Sequence, residues 1–213
     1  MKQTKEYFEK LTEIAIGIDN TSGFQGGVVL DVANVVLKDE KFSLWSGSSQ
    51  PIQHHYGEGG LVRHTLEVVE LCFQVKNYYE GVYEIDATEL FLSALFHDAG
   101  KMYDYKPHVR DDVASRYDYN HWRSSEHKRM IHHISRSGII WSKACDKQKS
   151  QEFLNKYHDK VLHAILAHHM QRQAGSPVAP KSRVAWILTL CDNLSARVDD
   201  ADRWDILEYR NKK

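Results

Sequence analysis

The sequence has 213 residues, enough to bury a full hydrophobic core within one domain. Hydrophobic residues are 42% and charged residues 27%, which excludes a disordered tail, and four prolines with 12 glycines exclude collagen-like and low-complexity chains. Lys plus Arg number 28 against 29 Asp plus Glu, so the formal net charge of −1 excludes a strongly basic nucleic-acid coat while leaving room for a local basic groove.

Helical periodicity dominates along the chain. Residues 3–17 read as an amphipathic helix with Tyr7, Phe8, Leu11, Ile14 and Ala15 on one side. A glycine-rich turn, 22–27, precedes a second apolar helix over 28–38. Residues 41–60 read as loop, and 61–79 as a third helix carrying Leu61, Thr65, Val68 and Cys72. Asp86 and Glu89 have the spacing of a capping box, and the helix that follows is apolar all round, which marks it as buried. Gly100 reads as its C-terminal stop. Residues 103–121 read as a long polar loop or lid. Further helices are expected over 125–137, 151–170 and 182–199, with a lysine-rich connector at 143–150 and a Gly175-Ser176-Pro177 turn. No strand shows convincing alternation. The expectation is one all-α domain spanning 1–213, its core at about 40–200 with the first 40 residues packed on it.

Cys72, Cys145 and Cys191 are widely spaced with no CxxC pair, which argues against a thiolate zinc site and for a reducing compartment. No apolar run approaches the roughly 20 residues of a membrane span. The charged N-terminus lacks the apolar core of a signal peptide. The expected location is the cytoplasm, with no membrane partner.

Histidine is over-used, at 13 residues, so the polar residues on apolar helix faces matter most. His64 shares a face with Leu61, Val68 and Leu71, while His97 and Asp98 end the most buried helix. His127 aligns with Met130, Ile131 and Ile134 and is expected to face inward. His168 and His169 follow Val161, Leu162, Ile165 and Leu166, and Asp192 lies on the stripe Ala185, Leu188, Cys191, Ser195. An aspartate in an apolar stripe is expensive unless paired or metal-bound. Imidazoles and carboxylates without thiolates suit Mn, Fe, Co, Ni or Zn. The pairs His54-His55 and His132-His133 read as partly surface features.

The order His64, His97-Asp98, His127, His168-His169, Asp192 resembles the HD-domain metal-dependent phosphohydrolases. The segments HHYGEGGLVRHTLEV (54–68), ALFHDAGK (94–101), HAILAHH (163–169), GSP (175–177) and LCDNLSARVD (190–199) resemble the HD domain of YhaM-type 3′→5′ exoribonucleases and HD domains associated with relaxases. The resemblance implies a helical bundle around one or two divalent ions, Mn, Fe, Ni or Co, with Zn or Mg also compatible. His64, His97, Asp98 and Asp192 would hold one ion. His127, His168 and His169 would serve the second, with Asp98 bridging. Asp98, Lys101 and His127 would carry the chemistry, and Lys101 with Arg172 would contact substrate phosphate. Arg63, Arg116, His121 and Arg123 are further candidates for orienting substrate. YhaM-type enzymes carry an N-terminal OB-fold, whereas the residues before the match here read as helices, and Met170 replaces their glycine after the double histidine.

The function that the resemblance implies is hydrolysis of phosphoester bonds by metal-activated hydroxide. The substrate would be a short single-stranded nucleic acid or a nucleotide. Trp45, Tyr56, Tyr103, Tyr105, Tyr117, Tyr119 and Trp122 are candidates to stack on bases. A nucleotidase or nucleoside triphosphate phosphohydrolase is an alternative, as is an HD-type di-iron oxygenase.

Overall fold

The computed structural model describes residues 2–50, 53–107, 122–170 and 175–201. Ten helices and one two-stranded sheet appear among them. They are α1 (Lys2–Thr21), α2 (Val28–Leu37), α3 (Glu40–Leu44), α4 (Gly60–Tyr78), α5 (Ala87–Phe96), α6 (Lys101–Asp104), β1 (Tyr105–Pro107), β2 (Trp122–Ser124), α7 (Glu126–Met130), α8 (His133–Asp146), α9 (Gln151–Ala167) and α10 (Arg183–Ala201). The fold is all-α.

α5 lies at the centre. Leu90, Phe91, Leu92, Leu95 and Phe96 are fully buried, so neighbours cover it on every side, as its uniform apolarity requires. It starts where Asp86 accepts hydrogen bonds from the backbone N–H groups of Thr88 (2.9 Å) and Glu89 (3.0 Å). Glu89 itself turns toward Lys160, at 4.0 Å. α4, α9 and α10 pack around α5, and Leu11, Ala15, Val29, Val32 and Val36 of α1 and α2 join the same core.

Four expectations change. The helix expected over 125–137 is two helices, broken at His132 with φ 66°. Nothing local breaks it; Asp104 accepts the N–H of His133 at 3.0 Å and begins a new helix there, so α8 runs on to Asp146 through half of the expected connector. The expected 41–60 loop contains α3, capped by Asp39. The expected 103–121 loop begins with α6 and β1, and β1 pairs antiparallel with β2, Tyr105 opposite Ser124; residues 108–121, with Arg116, Tyr117, Tyr119 and His121, lie outside the described residues. Gly100 does not stop a helix by a left-handed turn. Its φ is −63°, and a Cβ there would meet the backbone oxygen of His133 at 2.1 Å, so the position demands space.

Candidate metal centre

Three helices bring four side chains to one point. His64 comes from the second turn of α4, His97 caps α5 with Asp98 after it, and Asp192 comes from α10. The helical period puts Asp192 on the buried face with Ala185, Leu188, Cys191 and Ser195. His64 Nε2 is 3.0 Å from Asp192 Oδ1 and 3.3 Å from Asp98 Oδ2, and 3.4 Å from His97 Nε2. His97 Nε2 is 3.5 Å from Asp98 Oδ2 and 3.7 Å from Asp192 Oδ1.

A second group adjoins the first. His133 is the first residue of α8, and His168 and His169 follow α9. One nitrogen from each lies within 4.8 Å of the others. Asp98 joins the groups: its Oδ2 faces His64 and His97, while its Oδ1 lies 3.4 Å from His133 Nε2 and 3.7 Å from His168 Nε2.

The rings are held from behind. Nδ1–H of His97 donates to Ala94 O, and that of His168 to Ile165 O, both at 2.7 Å. Nδ1 of His133 lies 3.1 Å from Asp104 Oδ2, and Nδ1 of His64 lies 3.1 Å from Ser195 Oγ. Each Nδ1 is thereby held from behind and each Nε2 turned inward, the orientation that metal-ligating histidines need.

Burial pulls the His133 pKa down to about 4 and also lowers that of His168 well below the usual value. Both imidazoles are therefore neutral donors. Burial acts the same way on His97, but the Asp98 and Asp192 carboxylates outweigh it and raise its pKa to about 10. Burial opposes ionisation of Asp98, yet Lys101 and His97 hold its pKa well below the usual carboxylate range.

His127 is not brought to this cluster. It is half-buried, with Nδ1 2.8 Å from Asp104 Oδ1 and Nε2 accepting from Arg136 Nε at 2.9 Å. Of its expected apolar neighbours, Met130 (74% exposed) and Ile131 (37%) do not turn inward, while Ile134, beyond the break, is buried. The break at His132 gives the inward position to His133. Lys101 is buried, its Nζ 2.6 Å from Asp98 Oδ2, so it sits in the centre and not at a solvated helix end. Arg63 pairs with Asp199 and faces Glu67, away from the centre. Arg123 is exposed on β2, and Arg172 lies outside the described residues.

Sequence reasoning also missed His54 and His55. His55 is fully buried, and both rings pack on His64 with centroids at 5.3 and 4.7 Å. Asp104 and Glu67 were missed as the carboxylates behind the rings. A signal existed for Glu67, which stands one turn after His64 on α4.

A divalent ion fits this donor set. Asp98 Oδ1, His133 Nε2 and His168 Nε2 are buried without a hydrogen-bond partner among the described residues, an arrangement that a cation would stabilise. A family model for the HD domain matches residues 61–197.

The chain belongs to the HD-domain family.

The match spans His97 and Asp98, and together with the curated relatives it supports a metal-dependent phosphohydrolase. Among curated proteins, this HD-domain chain is similar to the 3′-5′ exoribonuclease YhaM of Geobacillus sp. (strain WCH70). The two are 24% identical over 202 residues, which is 93% of this chain and 54% of the relative. It is 28% identical over 152 residues to the 3′-5′ exoribonuclease YhaM of Bacillus subtilis (strain 168), covering 70% of this chain and 42% of the relative. The chain thus spans about half the length of the curated relatives it matches. No solved structure gave a match. No helix among the described residues is long and apolar enough to cross a membrane.

Proposed function

We propose that the chain hydrolyses phosphodiester bonds of short single-stranded nucleic acid at this centre. The observation that carries the reading is Asp98, whose two oxygens face two histidine groups while Lys101 lies against it. His64, His97, Asp98 and Asp192 would hold one divalent ion, and His133, His168 and His169 with Asp98 a second, with Mn, Fe, Ni or Co suited to the donors. When bound, the ions supply a hydroxide at neutral pH and neutralise charge on the phosphoryl oxygens.

The chain's own groups do the rest. Lys101 keeps its charge beside the reacting phosphate because Asp98 holds it there, opposing the effect of burial. Asp104 fixes His133 and His127 together through its two oxygens. Beyond Asp104 lies an aromatic floor. Trp45 and Trp122 meet edge to face at 5.2 Å beside a cleft of about 420 Å³ that also includes Pro107. Lys41 lies over Trp45 and Tyr103, Arg136 over Tyr103, and Lys128 over Tyr105. Of these rings Tyr103 is exposed (39%) and open to a base beside the Lys41 and Arg136 cations, whereas Tyr105 and Trp122 are buried. Cys72, Cys145 and Cys191 are free and buried, which supports action in the cytoplasm.

The test is product formation from end-labelled single-stranded RNA and DNA with Mn²⁺, with His97→Ala as control. A ladder shrinking from the 3′ end that needs both Mn²⁺ and His97 is expected. Intact oligonucleotides alongside hydrolysed mononucleotides would replace this reading with a nucleotidase.

A further inference from the structure

We propose that Glu67 is a positioning residue of the metal centre: acting through Ser195, it sets the tautomer in which His64 presents its Nε2 lone pair. The inference rests on the reading of His64 as a metal ligand.

The logic follows from which groups can donate. Glu67 Oε2 lies 2.9 Å from Ser195 Oγ. A carboxylate accepts only, so Ser195 gives its one proton to Glu67. Its oxygen can then only accept from His64 Nδ1, 3.1 Å away. The His64 proton therefore sits on Nδ1, and Nε2 faces Asp98 and Asp192 with a lone pair.

His97 and His168 need no such relay. Each donates to a carbonyl three residues back, at a helix end where that carbonyl is free. His64 lies in the second turn of α4, where the carbonyls are taken by the helix. A side chain must do for it what the backbone does for the others.

Glu67 does the same in a second direction. Its Oε2 is 2.7 Å from His55 Nε2, which donates. His55 Nδ1 is then an acceptor, and His54 Nδ1, 3.2 Å away, is its donor. The loop is built to hold this. His55 has φ 53°, its N–H donates to Asp199 Oδ2 at 2.6 Å, and its carbonyl accepts from Gly47 N at 2.9 Å. A Cβ on Gly60 would meet that carbonyl oxygen at 1.8 Å. His54 and His64 are thus set by one carboxylate.

A glutamine at position 67 has an amide N–H to offer Ser195. Ser195 could then donate to His64 Nδ1, moving the ring proton to Nε2 and closing the ligand position. The test is calorimetric titration of Mn²⁺ into the chelator-stripped full chain, comparing wild type, Glu67→Gln and Ser195→Ala. Metal-free melting temperatures are read alongside, so that loss of folding is seen separately. Both variants are expected to bind the tighter Mn²⁺ about 10–100-fold more weakly while still melting cooperatively. Wild-type affinity in either folded variant overturns the relay. A wild-type chain that binds no Mn²⁺ overturns the metal-centre reading beneath it.

Discussion

The two histidine groups that share Asp98 are built differently. In the deep group, His64 and Asp192 stand inside long helices and His97 caps α5 with helical backbone, so helical periodicity alone places them. The second group sits at helix ends beside left-handed backbone: His132 (φ 66°) precedes His133, and Met170 (φ 68°) follows His169. Helix interiors place ligands by local rules. At His133 the helix end is set by a tertiary contact, Asp104. The charge environments differ too, since His97 is pulled toward its cationic form and His133 toward its neutral one.

Removing the shared member should have the largest effect. Asp98→Ala should lower turnover on the order of 10³-fold or more, because both groups lose their common oxygen donor. It also leaves Lys101 buried without its carboxylate, at a cost of about 3–5 kcal/mol. Steady-state kinetics with urea unfolding would check both, and a smaller loss than at a single-group histidine would break the picture of a shared residue.

The second group can be probed by ranking two variants. His133→Ala should lower turnover about 100-fold. His127→Ala should lower it no more than about tenfold, since it acts through Asp104 and Arg136. The reverse order would return His127 to the second group.

The electrostatic contrast predicts a two-sided pH dependence for chelator-treated protein. His133 has a folded pKa near 4, below its unfolded value of 6.5, so its stabilising effect is present above 6.5 and lost as pH falls toward 4. His97 has a folded pKa near 10, above 6.5, so its effect is present below 6.5 and lost as pH rises toward 10. Urea midpoints should therefore peak near pH 6.5. His133→Ala should flatten the acid limb and His97→Ala the alkaline one.

The smallest effect is expected outside the centre. Asp86→Ala removes the α5 cap and should cost about 1 kcal/mol. Unchanged turnover per folded molecule would show that the start of α5 only supports the helix whose far end carries His97 and Asp98.

The deep group was legible in the sequence because buried faces repeat at helical spacing, and His64, His97, Asp98 and Asp192 obey that rule. His133 was hidden because residues 131–133 contain no glycine or proline, and the break there comes from Asp104, 29 residues away in sequence. His55 was hidden for the same reason, since its contact with Asp199 spans 144 residues. Met170 lies between. The glycine expected there marks a left-handed turn, and the turn survives with a methionine in it, its N–H donating to Ala167 O at 2.8 Å.

Gly100 sets the spacing between the two groups by main-chain contact. With no Cβ it lies against the backbone of His133, and its N–H donates to Ser137 Oγ at 2.8 Å. This seam joins the start of α6 to α8 without using a ligand atom of the centre. A frame closed by main-chain contact and a large apolar core is expected to fold before its ion binds, unlike small zinc modules whose folding waits for the ion. Chelation should leave the helical circular dichroism spectrum intact, and reloading should proceed at the pace of ion dehydration, with no refolding phase.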